Sequence, residues 1–180
     1  MTYTDIAATT RVSDLPAILN GVKTRVAPVQ LLAAGAGAAS AGILGGVAAL
    51  EFSLTEIAGV FLPIPPRADI ALGATLTLYC APTASAASRE VKFQLTATAI
   101  KAGSTVLADA ATVTYASTDV AVPATAKQGF MVPIDLGSAV WAAVTAGAIV
   151  GKLTRVAIAD GTEAGDVAVI GAAITYTVNR

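Results

Sequence analysis

The chain has 180 residues, 55% of them hydrophobic but only 13% charged, with a net charge of −1. That length fits one domain, or one domain plus an arm. A charge content well below the roughly 25% of soluble domains leaves a surface of Thr, Ser, Ala and Gly that is inclined to associate. Eleven scattered Lys and Arg form no basic patch, which argues against nucleic-acid binding, and the absence of His removes imidazole bases and metal ligands. The single cysteine, Cys80, excludes a disulfide framework and reads as a small buried hydrophobe.

In chain order, RVSDLPAILNGV suggests a short helix capped by Ser13 and ending at Asn20-Gly21. VAPVQ is extended, because Pro28 disfavours helix at Ala27. Residues 31–50, LLAAGAGAASAGILGGVAAL, carry no charge at all. As a membrane span this stretch is weak. Its strongly apolar residues total about −3 kcal/mol of transfer, five glycines count against them, and no aromatic belt flanks them. As a dinucleotide loop it offers Gly35-x-Gly37 but places Ser40 where a third glycine or alanine is wanted, and no βαβ context surrounds it. The remaining reading is an extended arm or a tightly packed interface segment, so residues 1–50 are expected to form an N-terminal assembly arm.

From residue 50 the period-two signal dominates. REVKFQLTATAI (89–100) alternates Val91, Phe93, Leu95, Ala97 and Ala99 against Glu90, Lys92, Gln94, Thr96 and Thr98. ALGATLTLYC, TVTYAS, GFMVPID, KLTRVAIA and VAVIGAAITYTV read the same way, joined by loops of turn chemistry such as LPIPPRAD, KAGS and ADGTEAGD. Only DLGSAVWAAVTAG (135–147) suggests a helix, capped by Ser138 and closed by Gly147. Seven or eight strands without interleaved helices predict an all-β fold: an antiparallel β-sandwich over residues 51–180.

Candidate chemistry is sparse. Asp160, Glu163 and Asp166 share a loop without the EF-hand pattern, and a solvated hairpin explains them better. Glu51 and Glu56 are imaginable as a glycosidase pair, but nothing in the sequence fixes their separation. Trp141, Tyr79, Tyr115 and Tyr176 are candidates for a sugar-binding surface, although single aromatics in alternating strands usually belong to the core. No P-loop, nucleophile elbow or zinc spacing occurs, so neither catalytic residues, cofactor nor metal site is expected.

GFMVPIDLG, followed by GKLTRVAIADGTEAGDVAVIGAAITYTVN, resembles the closing strands of jelly-roll structural proteins from tailed-bacteriophage virions. FSLTEIAGVFLPIPPRADIALGATLTLYCAP is similar to the opening of such domains, and the likeness covers residues 50–180. The resemblance implies a non-enzymatic virion protein: a capsid decoration or cement protein on the outer surface of the capsid. It implies a homotrimer bound to the major capsid protein, with no nucleic-acid or membrane partner. The alternative is a glycan- or receptor-binding jelly-roll module of a phage tail or fibre. An exposed aromatic platform, or a calcium ion held by the 160–166 loop, is what would favour that alternative.

Overall fold

A computed structural model of the chain describes residues 23–33, 35–64, 68–85, 89–101, 112–137, 147–159 and 164–178. Twelve strands run through them: β1 (Lys23–Pro28), β2 (Gln30–Leu32), β3 (Ser40–Leu44), β4 (Val47–Phe52), β5 (Ile57–Ile64) and β6 (Ala68–Pro82). They continue as β7 (Arg89–Lys101), β8 (Val113–Ala116), β9 (Val120–Val122), β10 (Phe130–Asp135), β11 (Gly147–Val156) and β12 (Val167–Val178). No helix occurs among the described residues. The helices expected from Ser13 and from Ser138 lie outside them, as does Trp141.

The strands form two antiparallel sheets of six. Sheet A runs β10-β6-β12-β4-β3, with β1 also paired to β12; sheet B runs β2-β5-β11-β7-β8, with β9 also paired to β7. The chain is an all-β jelly-roll sandwich. Alternation decides which residues lie between the sheets: Ala74, Leu76 and Leu78 of β6 face inward, as do Val132 and Ile134 of β10. Opposite them sit Val91, Phe93, Leu95 and Ala97 of β7 with Ile149 and Leu153 of β11. Phe52 and Phe93 meet edge to face at the centre, ring centroids 5.4 Å apart, a geometry the ring quadrupoles favour. Each fully buried large side chain here contributes about 1.5–3 kcal/mol.

The expected arm does not extend through residue 50. Residues 23–50 supply strands to both sheets, so the described sandwich includes β1 to β4 as well as residues from 51 onward. The charge-free stretch is largely a hairpin: β3 and β4 pair from Ser40↔Glu51 to Leu44↔Val47. Its two-residue turn, Gly45-Gly46, has both φ values positive (59° and 88°), as a tight hairpin matching the strand twist requires. Gly35 and Gly37, the glycines of the dinucleotide reading, have positive φ (88° and 72°) in the connection from β2 to β3, a strand where that motif needs a helix. No helix of the described residues is long and apolar enough to cross a membrane. The alternation escapes notice in the sequence because alanine and glycine mark neither face.

Candidate functional site

The outer face of sheet A is built from residues that alternate against the core. Register sets them in rows across the strands. One row is Asp135–Thr75–Thr175–Val26, the next Pro133–Thr77–Ala173–Pro28, and a third Met131–Tyr79–Gly171. The third row is possible because a β-bulge at Ile170 resets β12, so that Gly171 comes level with Tyr79. The Tyr79 ring passes 4.0 Å from the position a Cβ on Gly171 would take. Tyr79 and Met131, both well exposed, therefore form a flat apolar pad above a strand of small residues.

Farther along the sheet, an open groove of about 630 Å³ lies where Ala116 of β8 and Thr118 beyond it come up beside β6, β10, β12 and β1. Its walls carry the hydroxyls of Thr24, Thr75, Thr118, Thr175 and Thr177, the Tyr176 ring, Pro133 and the Asp135 carboxylate. Thr75 and Tyr79 are four residues apart on one strand, so pad and hydroxyl row are separated by about 13 Å. Among the described lining residues none is Lys or Arg, so the groove suits a neutral ligand with many hydroxyls rather than an anion. Of the aromatics expected as a sugar surface, Tyr79 alone among the described residues lies on this face. Tyr115 and Tyr176 pack half-buried against the core, Tyr176 with its edge at the groove.

The carboxylate candidates do not converge. Glu56 Oε2 accepts the Ser53 backbone N–H at 2.8 Å, closing the turn in which Thr55 has a φ of 69°. Glu51 lies along Gly42 of β3, and neither borders the groove. Asp166 accepts the Ser53 hydroxyl at 2.7 Å through Oδ1, while its carbonyl accepts the Thr83 hydroxyl at 2.9 Å. It is a tether between loops. Asp160 and Glu163 lie outside the described residues, among which no cluster of three His, Cys, Asp or Glu is poised for a metal. Cys80 is buried, and burial pushes its thiol up to about 12.

One residue had no role assigned from the sequence. Arg155 of β11 is 2% exposed, on the inward face with Leu153. Its guanidinium donates to the carbonyls of Phe52 at 2.8 Å and Gly165 at 2.7 Å, and also to that of Ala164. Its own backbone pairs with Thr55 and Glu56. This arginine therefore ties the end of β4 to the loop before β12. The signal was present in KLTRVAIA, where the period of two puts a charge on the apolar side.

No protein-family model matches the chain, and no curated protein matches it. Among solved structures it is similar to the xylan-binding module CBM15, with a TM-score of 0.43 and 15% identity over 87% of this chain and 97% of that one. It is also similar to a cleaved adhesin domain of Lys-gingipain from Porphyromonas gingivalis, with a TM-score of 0.39 and 14% identity over 84% and 97%. A third is the family 11 carbohydrate-binding module of a cellulosomal cellulase from Clostridium thermocellum, with a TM-score of 0.38 and 9% identity over 95% and 94%. Likenesses this distant carry no functional weight, and the sandwich is established by the strand pairing itself.

Proposed function

We propose that the chain is a non-catalytic binding module that holds a neutral polysaccharide or glycan along the outer face of sheet A, as a receptor-binding subunit of a phage tail or fibre. The observation that carries this reading is the Tyr79–Met131 pad on the outer face of sheet A, with the threonine-lined groove about 13 Å along the same strand. Sugars present apolar C–H faces and hydroxyl edges, and these two surfaces complement them in turn. Asp135 is the one carboxylate among the described lining residues, and hydrolysis of a glycosidic bond ordinarily takes two, which supports retention over cleavage.

The test is a glycan array followed by calorimetry with the full chain. Tyr79→Ala and Asp135→Ala are each expected to weaken binding tenfold or more, which is about 1.4 kcal/mol, without lowering the melting temperature. Absence of binding to every neutral glycan sinks the reading.

A capsid decoration protein is the second reading, favoured by the apolar side chains that the sandwich leaves in solvent: Val26, Leu32, Ile43, Val47 and Leu54. In that case the protein is a homotrimer seated on the major capsid protein at the virion surface. It then co-sediments with empty capsids and raises their thermal stability, and the groove variants bind as the unaltered chain does.

A further inference from the structure

We propose that β3 is the seam of a symmetric pair, in which two copies of this chain join their A sheets into one continuous sheet. Sheet edges offer unpaired N–H and C=O groups, and natural proteins blunt them with charge, proline, bulges or brevity. Four of the other free edges follow that rule. The sequence of β1 contains Lys23, Arg25 and Pro28, β10 contains Pro133 and Asp135, and β2 and β8 are three and four residues long. By contrast, β3 reads Ser-Ala-Gly-Ile-Leu, uncharged and without proline, and pairs regularly with β4 over all five residues. Among the described residues its outer side has no strand beside it. Ile43 there is 76% exposed and Val47, beyond the turn, 49%.

The hairpin turn dictates which groups are on offer. A two-residue loop makes Leu44–Val47 a hydrogen-bonded pair, so Leu44, Gly42 and Ser40 bond to β4 while Ala41 and Ile43 aim their N–H and C=O groups outward. An antiparallel copy satisfies all of these when Ala41 of each chain faces Ile43 of the other. The two-fold axis then passes between the two Gly42 residues, where absent side chains allow close approach. Glu51 lies over Gly42, its Oε1 2.6 Å from where a Cβ would sit, so the pairing also brings two carboxylates together across the axis. That repulsion keeps the pair weak, and removing it must strengthen association.

Sedimentation and amide exchange of the full chain over a hundredfold range of concentration test this. The amides of Ala41 and Ile43 are expected to gain protection as concentration rises, together with a shift to twice the monomer mass. Ile43→Lys should weaken the pair tenfold or more while leaving the melting temperature of the dilute chain unchanged, and Glu51→Gln should tighten it several-fold. Should Ile43→Lys misfold, Ala41→Lys substitutes for it at the other outward position. Protection of these amides at every concentration means that the edge is covered within one chain, and overturns the proposal. So does a mass, dimeric or trimeric, that neither Ile43→Lys nor Glu51→Gln alters.

Discussion

Two residues determine much of the local chemistry. Arg155 keeps its guanidinium away from water, and carbonyls from two separate segments surround it. A fork of donors in one plane reaches several acceptors at once, which an ammonium on a flexible stem does not. Arg155→Met strands the Phe52 and Gly165 carbonyls and is expected to cost about 3 kcal/mol by denaturant unfolding, with Arg155→Lys recovering less than half. Cys80 makes the opposite case, a group that burial holds neutral. Its folded value, raised from 9.0 to about 12, lets the unfolded state lose the proton first. The contribution is fully present below pH 9 and disappears as pH rises from 9 towards 12. The melting temperature of the unaltered chain should therefore fall more steeply across that window than that of Cys80→Ala. A thiol reagent at pH 8 should label Cys80 only after unfolding.

Strand pairing shows where the sequence could be read and where it could not. In β7 alternate residues from Val91 to Leu95 are large and apolar, and the inward face of Val91, Phe93, Leu95 and Ala97 matches the expectation from alternation. In β3 and β4 the same alternation is written in Ala41, Gly42, Ala48 and Ala49, whose side chains barely differ in hydrophobicity, and so it is lost. The groove was still less legible. Most of its threonines are ordinary strand residues one by one, and only register across three strands aligns Asp135, Thr75 and Thr175. The bulge that places Gly171 under Tyr79 leaves no mark in sequence beyond the glycine itself. Gly151, between β5 and β7, admits no side chain: a Cβ there would lie 2.5 Å from the Thr96 carbonyl oxygen. Because that obstacle is backbone, Gly151→Ala should destabilise by about 1–3 kcal/mol in thermal or urea unfolding, whereas Gly129→Ala, with open space around it, should not.

For the molecule as a whole, the first fifty residues include structural members of both sheets. A chain beginning at residue 51 loses β1 to β4, leaving one side of β12 bare and uncovering the inward face around Val169 and Ile174. It is expected to aggregate or remain unfolded, detectable as lost strand signal in circular dichroism, while a chain beginning at residue 23 retains every described strand. These two truncations separate the role of residues 1–22 from that of the sheets. Only the former remains open to the arm function that the alanine–glycine composition suggested.

The position of β12 also governs the timing of folding. It is the last of the described strands in chain order, yet it lies between β6 on one side and β1 and β4 on the other. Strands β1 and β4 therefore wait, edges open, for a partner far along the sequence. Closing such a loop is slow, in the range of milliseconds to seconds for proteins dominated by distant pairings. Sheet B has all its described strands once β11 has been made, whereas sheet A cannot close until β12 follows. A growing chain of this protein is thus half assembled until β12 emerges, and the docking of that strand is the step that commits it.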